Sequence, residues 1–99
     1  NVVQSLSGTS VTMNVNSGLK ATISLSGATT ITITNLDDGY EGTIDVANPS
    51  THSLNINGST GYTTEKVMGA KDAIMSSGHT TVVYWRTGST LYYGFIHEN

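Results

Sequence analysis

Three carboxylates, Asp37, Asp38 and Glu41, fall within five positions of the glycine-bearing stretch LDDGYEG. Clustered oxygen ligands on a loop suit calcium. The alternating Asp/Asn pattern and distant bidentate Glu of an EF-hand are missing, however. Asp and Gly are also the residues of an ordinary turn, and that is the preferred reading. His52, His79 and His97 lie far apart and lack metal-ligand spacing, although a symmetric assembly could bring three copies of one histidine onto its axis. Ser, His and Asp are all present, but with 28 Ser and Thr in the chain their coexistence carries no information. No Gly-x-Ser-x-Gly elbow, His-Glu-x-x-His pair or phosphate loop occurs. Seven acids, several of them in turns, are a thin supply for a glycosidase pair. The expectation is a chain without catalytic residues, cofactor or metal.

The aromatics offer more. Five of the seven lie in TTVVYWRTGSTLYYGFIH, Thr80 to His97, which reads as two strands, Thr80–Arg86 and Thr90–His97, about a Thr-Gly-Ser turn. Aromatics bury the most area per residue, so this hairpin should hold the centre of the core. Alternation places Val83 and Trp85 on one face of the first arm and Val82, Tyr84 and Arg86 on the other. If Trp85 joins Tyr93 and Phe95 in the core, Tyr84, Arg86 and Tyr92 point outward. Such a stripe can stack on sugar rings or bury against a neighbouring subunit. Burial of both faces is the commoner arrangement for residues of this kind. Tyr40 and Tyr62 stand in loops, where variable contacts concentrate.

Composition narrows the rest. Ninety-nine residues make one domain. Opening on Asn1 rather than on Met suggests a fragment or a processed product. Charged residues are only 11% and polarity comes from hydroxyls, which suits a β protein with Thr and Ser facing outward. A net charge of −3 with four basic residues argues against nucleic acid and anionic membranes. No apolar run reaches the length of a membrane span. The lack of cysteine removes disulfides, and oligomerisation is another route to stability for so small a domain.

Alternation of period two recurs along the chain. Val2–Leu6 reads as a first strand or a lead-in. Val11–Val15 turns Val11, Met13 and Val15 to one face, Lys20–Ser26 turns Ala21, Ile23 and Leu25, and Thr29–Asn35 turns Ile31 and Ile33. Gly27-Ala28 reads as the tight turn of a hairpin. Thr43–Ala47 and Ser53–Asn57 follow, separated by a turn at Asn48-Pro49-Ser50. Residues 58–77 break the rhythm, with room for a helical turn or one irregular strand; so long a connection is often functional.

In order, VTMNVNSGLKATISLSGATTITITNL, DDGYEGTIDV, a variable segment and TTVVYWRTGSTLYYGF resemble a recurrent module at the C-terminal ends of bacteriophage tail-fibre and other virion appendage proteins. The likeness runs from about Val11 to Phe95. That family usually has Asp or Asn before the hairpin glycine, where this chain has Thr87, and often a tryptophan late in the segment after Gly42, which is missing here. The resemblance implies a trimeric β-sandwich on a virion, used for structural capping or host-surface contact, and brings no binding residues with it.

The sequence therefore predicts an all-β, antiparallel, jelly-roll-like β-sandwich of seven or eight strands. Residues 1–10 would be a lead-in or first strand, and 11–99 a single domain. Its expected role is a homotrimeric, non-enzymatic receptor-binding tip of a phage tail fibre. It would join the rest of the fibre upstream and meet host-surface glycan through Asp38, Tyr40, Tyr62, Tyr84, Arg86 and Tyr92. Nucleic acid and membrane insertion are not expected. Two alternatives stay open: a structural trimerisation or capping domain, and a monomeric carbohydrate-binding module of a secreted protein.

Overall fold

Strands form along every stretch where apolar and hydroxyl residues alternate, but most do not pair with their sequence neighbours. The structure, a computed structural model, describes residues 2–48, 52–59, 61–68 and 78–98. Among these are β1 (Val3–Leu6), β2 (Ser10–Asn14), β3 (Lys20–Ser24), β4 (Thr29–Thr34) and β5 (Glu41–Asn48), then β6 (Leu54–Gly58), β7 (Thr63–Met68), β8 (Gly78–Thr87) and β9 (Thr90–Glu98). They build a six-stranded sheet in the order β1-β3-β5-β8-β9-β7 and a three-stranded sheet in the order β2-β4-β6. The chain is all-β, with a 3-10 turn at Val15–Ser17 between β2 and β3.

The pairing bears out the antiparallel, jelly-roll-like expectation only in part. From β1 to β6 the chain alternates between the two sheets, and each strand lies parallel to the strand two earlier. The result is a short solenoid of three coils. Among the described strands, only the β5–β8 and β8–β9 pairs are antiparallel, while β7 runs parallel to β9. The Gly27-Ala28 connection is not a hairpin turn but a corner between sheets. Backbone groups that a β3–β4 hairpin would pair with each other bond to the next coil instead: Leu25 N–H donates to Ala47 C=O (2.9 Å) and Thr29 N–H to Ser53 C=O (3.0 Å). Thr29 Oγ fixes the corner by donating to Gly27 C=O (2.8 Å). Residues 49 and 50 of the turn expected at Asn48-Pro49-Ser50 lie outside the described residues, as do 69–77 of the irregular segment. Part of that segment is the strand β7, with a bulge between Lys66 and Met68.

Stacking parallel strands aligns like positions into rows across each sheet. Ala21, Ile44, Val82 and Phe95 form one inward row of the larger sheet, and Val11, Ile31 and Ile56 one inward row of the smaller. These residues, with Met13, Ile23, Ile33 and Val46 among others, form a single buried cluster fed by both sheets. Threonines of β2 and β4 face outward, Thr12 beside Thr32, where β-branched side chains favour the extended backbone. The hairpin β8–β9 enters between β5 and β7 and extends the larger sheet beyond the third coil.

One position in the core must lack a side chain. Gly42 pairs with Tyr84, and the Tyr84 phenol crosses it to donate to the Leu19 carbonyl. A Cβ at Gly42 would overlap both the Tyr84 hydroxyl and Leu19 C=O, and that carbonyl is also held by Thr43 N–H (3.2 Å). Neither atom can yield without losing a hydrogen bond. Gly42→Ala is therefore expected to cost about 2–3 kcal/mol, the upper part of the overpacking range. A urea midpoint unchanged by the substitution would contradict this packing.

Candidate functional site

Which side chains reach the surface follows from the parity of β8. Tyr84 is fully buried, as are Val82 and Leu91, and Phe95 is nearly so. The inward face of β8 is thus Thr80, Val82 and Tyr84, not Val83 and Trp85. This corrects the expected outward position of Tyr84 and inward position of Trp85. The physical reason is the acceptor waiting at Leu19: a buried phenol needs a hydrogen-bond partner, and Gly42 leaves the space through which Tyr84 reaches one. On β9 the parity is as read from the sequence. Tyr93 packs against the core and meets Phe95 edge to face at 5.6 Å.

With Tyr84 inside, Trp85 lies on the outer face of the six-stranded sheet. Its ring stacks on Tyr92, with centroids 5.8 Å apart and planes inclined by 19°. Both residues are half-exposed. The strand registers place them in one outward row: Glu41 on β5, Trp85 on β8, Tyr92 on β9 and Glu65 on β7. Both glutamates are exposed. Strands about 4.8 Å apart put the Glu41 and Glu65 backbones three spacings, roughly 14 Å, from each other.

A groove of about 560 Å³ opens on one side of this row, lined by Lys20, Glu41, Thr43, Val83 and Trp85 on the sheet and by the Val15–Leu19 connection. Its volume falls within the range of small-ligand sites. Trp85 is the wall shared by groove and aromatic row. A second hollow, of about 360 Å³, is lined in part by Thr22, Ser24, Asp45 and His79. Ser24 and His79 stand in one row with Ala47 between them, roughly 10 Å apart at the backbone. Asp45 Oδ1 there accepts from Thr81 Oγ (3.3 Å). Among the described residues, no three His, Cys, Asp or Glu gather closely enough to hold a metal ion.

The remaining residues singled out from the sequence divide by what holds them. Arg86 is directed into the fold. It donates through Nη1 to Leu36 C=O (2.6 Å) and through Nε to Gly88 C=O (2.7 Å), and its guanidinium lies 4.9 Å from the centre of the Tyr62 ring. Tyr62 donates its hydroxyl to the same Leu36 carbonyl (2.8 Å). The expected outward position of Arg86 is thus corrected as well, since the Leu36 carbonyl and the Tyr62 ring face commit its planar fork. Asp38 accepts from Gly88 N–H (2.9 Å), which fastens the Leu36–Tyr40 loop to the β8–β9 turn. Tyr40 is the most exposed tyrosine of the set, at 54%. Tyr40 therefore stands apart from the Trp85–Tyr92 row, and only Tyr92 of the expected set belongs to it. The two glutamates and Trp85 were not expected there. Their common row depends on the β5–β8–β9–β7 order, which joins residues far apart in sequence.

No protein-family model, curated protein or solved structure matches this chain.

Burial pushes the Tyr84 phenol far above its ordinary value of 10.0, and Tyr93 is raised for the same reason. The neutral phenol is the form the fold holds. Its contribution is fully present below the unfolded tyrosine value near 10 and is lost as pH rises beyond it, because the unfolded chain then gives up protons that the folded one keeps. Urea midpoints should fall progressively above about pH 10. Tyr84→Phe should be less stable at neutral pH, by about 1 kcal/mol for one hydrogen bond, yet show a shallower alkaline decline. An equal decline in both proteins would contradict this account.

Proposed function

We propose that this chain is a non-enzymatic glycan-binding module of the kind found at the ends of phage tail fibres, displayed on a virion and directed at host-surface saccharide. The observation that carries the reading is the half-exposed Trp85–Tyr92 stack on the outer face of the larger sheet. Aromatic rings with an apolar face and a polar tip suit the flat, hydroxyl-rimmed surface of a sugar. A half-exposed tryptophan on a rigid sheet loses little conformational freedom on binding. The groove beside Trp85 gives a saccharide chain a place to continue.

In this reading the module acts as a homotrimer. A shallow platform binds weakly, and three copies on one appendage raise the effective concentration of the second and third contacts. A second, structural reading rests on different features. Among the described residues, β1 and β2 form the outer edges of their sheets at the same end of the solenoid. Parallel edges of this kind can accept another coil of an upstream fibre. A monomeric carbohydrate-binding module would use the same aromatic chemistry without the assembly.

Binding to purified host-envelope glycan, followed by surface plasmon resonance, tests the proposal. Wild type should bind saturably. Trp85→Ala and Tyr92→Ala should each weaken binding by roughly tenfold or more, the worth of a stacked ring, without shifting the thermal midpoint by more than a few degrees. Light scattering on the same samples should give three times 10.4 kDa. Binding unaffected by both substitutions would reject the site, and a monomeric mass would favour the carbohydrate-binding module.

A further inference from the structure

We infer that the ligand of the Trp85–Tyr92 row carries a free ammonium group, making it an amino sugar rather than a neutral or acidic one. This inference rests on the glycan-binding reading and deepens it. The row ends in a carboxylate on both sides, Glu41 beside Trp85 and Glu65 beside Tyr92. An aromatic face bounded by carboxylates is chemistry for a cation: the ring quadrupole attracts positive charge, and a carboxylate forms charge-assisted hydrogen bonds with an ammonium.

Of the basic residues whose side chains are described, Arg86 and Lys20, neither stands in the row. Arg86 is spent on Leu36 C=O, Gly88 C=O and the Tyr62 ring. Lys20 lines the groove from β3, two strands from Trp85, where its register partner on β5 is Thr43. An acidic sugar on the row would meet two carboxylates and a chain of net charge −3. It would be repelled both at the site and on approach.

The discriminating probes are glucosamine oligosaccharides, their fully N-acetylated counterparts and galacturonate oligomers, titrated into the full chain while Trp85 fluorescence is followed. The glucosamine oligomer should bind roughly tenfold or more tightly than the acetylated one, the size of one charge-assisted hydrogen bond. The preference should shrink as salt is added, and the galacturonate oligomer should not bind. In the doubly substituted Glu41→Gln, Glu65→Gln protein the preference should vanish. Both positions are exposed, so its thermal midpoint should stay that of wild type.

Equal or tighter binding of the acetylated oligomer, abolished by Trp85→Ala, would overturn the charge assignment and leave the glycan-binding reading standing. Failure of every oligomer to bind would overturn the inference. The host-glycan experiment then decides the reading separately.

Discussion

The outer surface of this protein depends on one hydrogen bond made inside it. Tyr84 reaches across Gly42 to the Leu19 carbonyl, and this fixes the parity of the longest described strand. Side chains alternate along a strand, so a shift of one residue exchanges its two faces. With Tyr84 inward, Trp85 must be outward, and Tyr92, its register partner on β9, must lie beside it. The bond also ties the inserted hairpin to the solenoid, since Leu19 belongs to the connection between the first and second coils and Tyr84 to the strand laid against the third. An analogous tie holds the other end of the sheet rows, where Leu36 C=O accepts from both Tyr62 and Arg86. Each tie spends an aromatic or a cation on holding the fold and so removes it from the surface.

The solenoid supplies what the aromatic pair needs, which is a flat and rigid support. Three parallel coils hold β1, β3 and β5 in register, and the hairpin pairs with β5. The hairpin adds strands rich in aromatics at the β5 side of the solenoid. Because β9 then pairs with β7, residues from four separate stretches of chain fall into a single row across the sheet. Site residues held by a backbone ladder keep their spacing without ordering a loop when a ligand arrives.

Much of the fold was legible in the sequence, and the limits of that reading are physical. Alternation identified β2 through β6 and both arms of the hairpin, because period two is imposed by the strand itself. It does not say which strand lies next to which. Val11 and Met13 align with Ile31 and Ile33, and these with Ile56 and Gly58. Likewise Ala21 and Ile23 align with Ile44 and Val46. Offsets of roughly twenty to twenty-five residues are the repeat signature of a solenoid, but their unequal length hides it, and Gly27-Ala28 imitates a hairpin turn. The face of β8 was misread because bulk favours a buried tryptophan, while the decisive partner of Tyr84 is a glycine more than forty positions away. Asp38 lies in a turn, but its side chain accepts from Gly88 N–H fifty positions away, a partner that local turn chemistry does not supply. The row of Glu41, Trp85, Tyr92 and Glu65 could not be assembled without the strand order.

Trp85 is the only tryptophan of the chain, so its fluorescence reports directly on the parity from which the whole account follows. Emission should be that of a solvent-contacting indole, shifted to longer wavelength than a core tryptophan and quenched by acrylamide and iodide while the protein is fully folded. Emission at short wavelength, shielded from both quenchers until the protein unfolds, would place Trp85 in the core. It would contradict the Tyr84–Leu19 arrangement together with the site built upon it.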